Sequence, residues 1–549
     1  MSEEAALLKA IVAAPDEDTP RLVYADWLDE NRADSRPSPA QGPSARAEFI
    51  RVQCRLAAGA FHDPDYPELL ERERDLAAWL TTHDPHQLAA PMIQTAADRL
   101  EWGNENDWHR GFREILGFDD YEETPTETIE KLVSELQQTF AQVPARSIRL
   151  ADATAEEIAL LVQHPIFGQL RGLYLDYYSN SIDNHPVLAL AQSRRASRLR
   201  RLQFDFPVDQ SGLAALARSR SLSALEELTI DYPALGAEEI EALSRAKWLR
   251  QLRRLHVWIG NGPALEALAE LPRLPRLECL TIRISRLDSS AAVRQFVASR
   301  SFPKLAYLNL SGCHLPPDKL ALLAAGRWPL RHLVLSRNEV GRLGCEALVA
   351  APFAKQLRVL ELSDCAISAR GVQTLAAAET LAGLRHLDLS DNPIGVRGLQ
   401  AIAASVTLRG LRSLGLRRTH TSRRSLTVLE VARFLTTLTM PELRHLQLDG
   451  LPVGSRGARE LATRPTFRHL TRLGLERCRL GQVAVAALLQ SRLLTNLVVL
   501  ELSSNRAGSA ALKLARHQTL PRLAVCSLRF NQLSRVARNR LGRRPGILV

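Results

Sequence analysis

The sequence predicts an α/β protein: a horseshoe-shaped solenoid with a parallel β-sheet inside and helices outside, preceded by a small all-α domain. Three observations carry this. LRVLELSDCAISARGVQTLA, beginning at Leu357, returns as LRHLDLSDNPIGVRGLQAIA, beginning at Leu384, with its apolar letters kept and its polar letters changed. A chain of 549 residues exceeds one ordinary globular core, so repetition is the economical way to bury its apolar residues. Aromatic residues make up only 5% of it, which favours small-residue packing over a large aromatic core.

At the front, DTPRLVYADWLDE is a helix by its own chemistry: Thr19 can cap it, Pro20 suits its first turn, and Leu22, Val23, Asp26 and Trp27 recur at helical spacing. RAEFIRVQCRLA, with Phe49, Ile50, Gln53 and Leu56, is a second helix, and the Pro/Ser/Gly-rich SRPSPAQGPSA between them is a loop. A third helix starts at Pro67, with Leu69, Leu70, Glu73, Leu76, Ala77 and Leu80 on one face. Thr124, Pro125 and Glu127 form a capping box for a fourth, whose face is Ile129, Leu132, Val133, Leu136 and Phe140. The expected division is 1–123 for the acidic helical domain, 124–140 for a helix capping the first coil, and 141–549 for the solenoid.

From Ala145 onward the word L-x-x-L-x-L recurs about fifteen times, mostly every 26 or 27 residues, the length at which each coil pairs a strand with a full helix. Leu387, Asp388, Leu389 and Ser390 alternate as a strand does, with the leucines facing the core. Gly398, Leu399, Ile402 and Ala403 then take helical spacing, and Gly344, Gly371, Gly398 and Gly457 let the helices pack close. Helices are wider than strands are apart, so stacking bends the array with the sheet on the inside. After the strand stand Asn338, Asn392, Asn505 and Asn531 or Cys313, Cys365 and Cys478, placed to satisfy backbone groups where the chain turns.

These words resemble ribonuclease-inhibitor-like leucine-rich repeats over roughly residues 141–549, which implies a protein-binding horseshoe rather than a reaction. At the front, PRLVYADWLDE, RAEFIRVQ and WHRGF resemble the repeat-companion domain of large-genome bacteria, over roughly residues 1–60 with a weaker tail to about 115. That family implies no reaction to carry over.

Several classes are disfavoured. MSEEAALLKAIVAAPDED is acidic and broken by Lys9, unlike a secretory signal, and no later stretch approaches a membrane span. Seven cysteines without a CxxC pair argue against a disulfide framework or a zinc knuckle, so the cytoplasm is the expected compartment. The net charge of +11 hides a division. Residues 1–140 hold about 29 acidic and about 13 basic side chains, near −16, leaving near +27 for the rest. The acidic region is therefore expected to be able to dock on the basic repeats.

No catalytic, cofactor or metal site is expected. Glu361 and Asp388 fall on adjacent strands about 5 Å apart, the one pair from which a hydrolase-like alternative could be built. They occupy variable polar letters, however, and His386, Asp388 and Ser390 imitate a triad only in composition. Asp26, Asp29 and Glu30 around Trp27 read as a solvated face. The expected partner-binding residues are Tyr174, Tyr177, Tyr232, His256, Trp258, Tyr307, His332, Glu361, His386 and Asp388 on the concave face, with Tyr178 beside them. A basic edge is expected from Arg171, Arg200, Arg253, Arg331, Arg358, Arg385, Arg412 and Arg444. No aromatics interleave that row, so a protein partner is favoured over nucleic acid or another acidic polymer.

Overall fold

In a computed structural model, the structure describes residues 2–31, 45–58, 65–83, 101–102, 108–109, 112–113, 115–118, 124–151, 153–176, 185–284, 287, 289–419, 425–515, 520–544 and 546–549. Four helices open the chain: α1 (Glu3–Ala13), α2 (Thr19–Glu30), α3 (Ala45–Ala57) and α4 (Tyr66–His83). Helix α1 is capped by Ser2 through a bond from the Ala5 amide. Asp18, not Thr19, holds the cap position of α2, and Pro20 lies in the first turn. Leu8, Ile11, Tyr24, Ala25 and Ile50 join α1, α2 and α3, while Phe49 and Val52 of α3 pack on Leu69, Leu76 and Leu80 of α4. Arg51 answers both Asp26 and Asp29, at 2.6 and 2.7 Å, so that acidic face is ion-paired. The loop over residues 35–44 lies outside the described residues.

The strands are β1 (Glu101–Trp102), β2 (Trp108–His109), β3 (Phe112–Arg113), β4 (Ile115–Phe118), β5 (Ser147–Ala151), β6 (Gly172–Asp176), β7 (Arg201–Asp205), β8 (Glu227–Leu235), β9 (Arg254–Ile259) and β10 (Cys279–Ile284). Short strands follow: β11 (Tyr307–Asn309), β12 (His332–Val334), β13 (Val359–Glu361), β14 (His386–Asp388), β15 (Ser413–Gly415), β16 (His445–Gln447), β17 (Arg472–Gly474), β18 (Val499–Glu501), β19 (Val525–Ser527) and β20 (Ile547–Leu548). β4 to β20 form one open parallel sheet in chain order, with β1 antiparallel on β4 and β2–β3 a separate hairpin. Each repeat word from Ala145 to Leu523 supplies one strand, β5 to β19. Helix α5 (Pro125–Phe140), capped by Thr124, has a strand of its own in β4, and Ile129, Leu132, Val133, Leu136 and Phe140 lie in the continuous repeat core.

The register explains the core. Leu333, Leu360, Leu387, Leu414, Leu446, Leu473 and Leu500 pair in succession and are buried, so each coil places the same leucine under the next. The Asn and Cys residues form a second ladder. Asn392 accepts from the amides of Cys365 and Ile367 in the preceding coil and donates to the carbonyls of Leu362, Leu389 and Ser390. Cys365 Sγ in turn donates to the Leu335 carbonyl at 3.1 Å. The residue before each ladder position, Arg337, Asp364, Asp391, Arg477 and Ser504, takes positive φ, which swings the following side chain inward. The left-handed cost is offset where the turn amide bonds to the next coil, as Asp364 does to Ser390 at 2.9 Å.

The small helix residues behave as their spacing implies. A Cβ on Gly371 would stand 2.9 Å from Ile367 and 3.2 Å from Cys345 of the neighbouring helix. The helices thus approach more closely than any larger residue allows.

Candidate binding surface on the concave sheet

From β9 to β19 the first residue of each strand faces away from the core, and the register aligns these residues into one row. It reads Arg254, Cys279, Tyr307, His332, Val359, His386, Ser413, His445, Arg472, Val499 and Val525. Helix α4 follows this row. Burial, first, and the neighbours Arg254, Cys279 and Tyr307 act on the Tyr66 phenol, whose pKa is pushed up. Glu68 is ion-paired with Arg412, one residue before β15. Glu71 Oε1 stands 3.5 Å from His445 Nδ1 and 3.8 Å from His386 Nδ1. Asp75 Oδ1 accepts from Arg472 Nε at 2.6 Å. One turn on, Ala78 and Trp79 pack against Val498, Val499, Ala524 and Val525.

An 18-residue helix is about 27 Å long, enough to cross several strands, and its sheet-facing residues sit at 68, 71, 75 and 79, one every turn. Its opposite side is held by α3, through the leucines, through Arg72 Nε on Glu48 at 2.6 Å and through Gln53 on Glu73 at 2.8 Å.

The buried carboxylates are answered. Burial alone raises Glu71 and Asp75, which are 7% and 3% exposed. For Glu71, His386 and His445 outweigh burial and hold the carboxyl below its usual value. For Asp75, His445 and Arg472 do the same. The Arg472 bond is the tighter contact, because His445 Nε2 stands 3.6 Å from Asp75, beyond hydrogen-bond range.

His332 Nε2 lies 3.1 Å from Glu361, with Tyr307 edge-on at 4.5 Å. Its Nδ1 is buried and, among the described residues, has no hydrogen-bond partner. Burial holds this imidazole neutral, its pKa lowered, so Nε2–H donates to Glu361. Burial raises the Glu361 carboxyl, but His332 outweighs it, and the net shift is downward. Glu361 and Asp388 are register neighbours, yet Asp388 accepts from the Ser390 amide at 2.9 Å and Glu361 serves His332. The pair therefore shows no raised, proton-sharing Glu361 of the kind an acid catalyst needs.

The expected aromatics are half-buried rather than free. Tyr174 lies under Arg149, 5.5 Å from ring centre to guanidinium, and Trp258 under Arg283 at 4.7 Å. Asp231 holds Arg283 at 2.8 Å and His256 at 3.5 Å, and burial lowers the pKa of His256. Tyr177 and Tyr178 lie outside the described residues, as does the Tyr232 side chain; the Tyr232 backbone pairs with Asp205.

The arginine row is real in the backbone: Arg358, Arg385, Arg412 and Arg444 each donate an amide bond to the preceding arginine's carbonyl, from Arg331 onward. Its charges are unevenly met. Arg171 meets Asp16 at 2.8 Å, Arg253 meets Glu278 at 3.2 Å, and Arg412 meets Glu68. Among the described residues Arg200, Arg331, Arg358, Arg385 and Arg444 have no carboxylate within ion-pair distance, and burial followed by Arg331 and Arg385 lowers the pKa of Arg358. No group of three His, Cys, Asp or Glu residues among the described residues could hold a metal. None of their helices is long and apolar enough to cross a membrane.

Tyr66, Glu68, Glu71, Asp75 and Trp79 are functional candidates that sequence reasoning missed. Their signal was a second stripe on α4, acidic with aromatic ends, beside the leucine stripe that was read.

Residues 329–349, 355–376 and 384–403 match the family model for the Leucine Rich repeat, so the chain carries leucine-rich repeats. No curated protein matches it. Among solved structures it is similar to a TLR13–ssRNA13 complex at 16% identity and TM-score 0.34, over 74% of this chain and 64% of that one, less than two thirds of its length. It is similar to an internalin (inlF) from Listeria monocytogenes at 16% and 0.34, over 69% and 88%. The Rad7 and Elc1 complex in yeast follows at 19% and 0.41, over 70% and 94%.

Proposed function

We propose that this chain is a non-catalytic protein-interaction scaffold that binds a protein partner on the concave leucine-rich-repeat surface. The observation that carries the reading is α4 itself. A helix seated along the strand row by paired charges and one aromatic anchor is a worked example of polypeptide recognition by this face. The N-terminal helices, which we read as a repeat-companion domain, supply that example in cis. Affinity capture from the native cell with the full chain as bait tests it. A stoichiometric protein lost on substitution of outward concave residues, either Arg412→Glu/Arg472→Glu or Tyr174→Ala/Trp258→Ala, is the expected result, and capture unaffected by both pairs removes the reading.

A second reading rests on Arg331, Arg358 and Arg385, adjacent guanidinium groups without carboxylate partners among the described residues. Such a strip suits an acidic polymer. Retention of mixed DNA fragments that falls steeply with salt, and is lost in Arg331→Ala/Arg358→Ala/Arg385→Ala, would favour it.

A further inference from the structure

We infer that the partner presents an acidic amphipathic helix to the row from β12 to β19, and that α4 is the resident occupant it must displace. The inference rests on the scaffold reading above and deepens it by naming what is recognised.

The row has a graded chemistry that few ligands match. His386, His445 and Arg472, with Arg412 beside them, turn nitrogen atoms toward the carboxylates of α4, and Val499 and Val525 at the far end are apolar. A helix fits if it carries carboxylates one turn apart followed, a turn later, by a large apolar side chain. Residues 68, 71, 75 and 79 of α4 have this order, and the bond between Asp75 and Arg472 fixes the register. An extended peptide would instead repeat its contacts every second residue, out of step with this row. A nucleic-acid strand would supply the charge but leave Val499 and Val525 against phosphate or sugar.

Helix α4 is also built to be displaced. Its sheet-facing side meets the repeats through charge pairs and through Ala78 and Trp79, while Leu69, Leu76 and Leu80 belong to the core shared with α3. The helical domain can therefore leave the row with its own core intact. Because it is tethered, α4 competes at a high effective concentration, so only a helix that binds well enters.

The test uses the full chain and a fluorescent synthetic peptide of residues 65–83, held helical by a staple replacing Leu69 and Glu73, which face α3. The full-length variant E68Q/E71Q/D75N should bind this peptide about tenfold more tightly than the wild type, because the competent fraction rises. Adding Arg412→Glu and Arg472→Glu to that variant should abolish binding. With the unaltered chain, excess peptide should raise amide exchange in residues 66–80, a measurement that does not depend on any variant folding. Equal affinity for wild type and variant, no binding to the variant, or unchanged exchange at excess peptide each overturns the inference. So does a single-stranded DNA 20-mer that displaces α4 more readily than the peptide. If the peptide fails while capture still returns a protein sensitive to Tyr174→Ala/Trp258→Ala, the scaffold reading stands and only the acidic helix falls.

Discussion

Asp75 and Arg472 are 397 residues apart in sequence and 2.6 Å apart in space, one carboxylate of α4 bonded to one guanidinium of β17. The two ends of the bond are unequally buried, with side chains 4% and 30% exposed. Arg472 left alone can turn to water, whereas Asp75 left alone cannot.

Arg472→Ala should therefore destabilise the docked helix more than Asp75→Ala, by about 3–5 kcal/mol against about 1–3, up to the limit at which α4 simply undocks. The double mutant should be no worse than Arg472→Ala. Amide exchange of residues 68–78 in all four chains closes the cycle, and additive losses would mean the bond is not formed in solution.

Acid should undo the docking in a defined window. The carboxyls of Glu71 and Asp75 are held below their ordinary values of 4.5 and 3.8, so their contribution is full above that range and lost as pH falls through the lowered values. His332, held neutral by burial, acts in the same direction: its contribution is full above 6.5 and declines as pH falls below it. The groups facing these three are Arg72, Arg74, Tyr307, Glu361, His386, His445 and Arg472, with Glu71 and Asp75 also facing each other. The gap in α4 protection between wild type and E71Q/D75N should be constant from pH 7 to about pH 5 and close below about pH 4. A gap that widens in acid would contradict the assigned carboxylates.

The solenoid was legible because a repeat tests itself: Leu360 and Leu387 each predict the other's place, and Asn392 is explained only by a turn that recurs. The concave site was legible in half. His332, His386 and Glu361 were identified from alternation along a strand, a local property. What they touch was not, because the match of Glu71 to His386 and His445 depends on where a helix lies relative to a sheet more than 300 residues away, and no periodicity reports that. The opposite charges of the two regions pointed to docking in general, and the sheet-facing stripe of α4 was masked by its own leucines.

A core test separates inward from outward residues on one coil. Leu389 is fully buried, and Leu389→Ala should cost about 2–5 kcal/mol. Asp388→Ala loses one bond to the Ser390 amide, about 0.5–1.5 kcal/mol. Asn392→Ala should rival the leucine, because it takes the bond from the amides of Cys365 and Ile367 and from the carbonyls of Leu362 and Leu389, while the Ser390 carbonyl keeps only the Asp364 amide. Chemical denaturation ranks the three, and an Asn392→Ala as mild as Asp388→Ala would show that water replaces the ladder.

The cysteines should be silent in the folded chain. All seven are free, and burial pushes the thiols of Cys279, Cys313, Cys345 and Cys365 up to about 12 and those of Cys478 and Cys526 higher still. Thiolates are the reactive form, so a disulfide reagent at pH 8 should titrate no thiol rapidly before unfolding and seven after it. A rapidly reacting thiol among these six would reopen the question of a cysteine nucleophile.

Salt should distinguish buried docking from loose electrostatic attraction. Exposed charges are screened beyond about 8 Å at physiological ionic strength, and a helix held only by such charges would leave the row as salt rises. Glu71 and Asp75 are buried against their partners, and Trp79 adds an apolar contact that salt does not weaken. Protection of residues 66–80 should thus change by less than about tenfold between 0.05 and 1 M salt, under 1.4 kcal/mol. Trp79→Ala removes the apolar anchor and should make the remaining docking more sensitive to salt than the wild type. If wild-type protection instead collapses at 1 M, the contacts of α4 with His445 and Arg472 are no more than surface pairing, and the row is open whenever ionic strength is high.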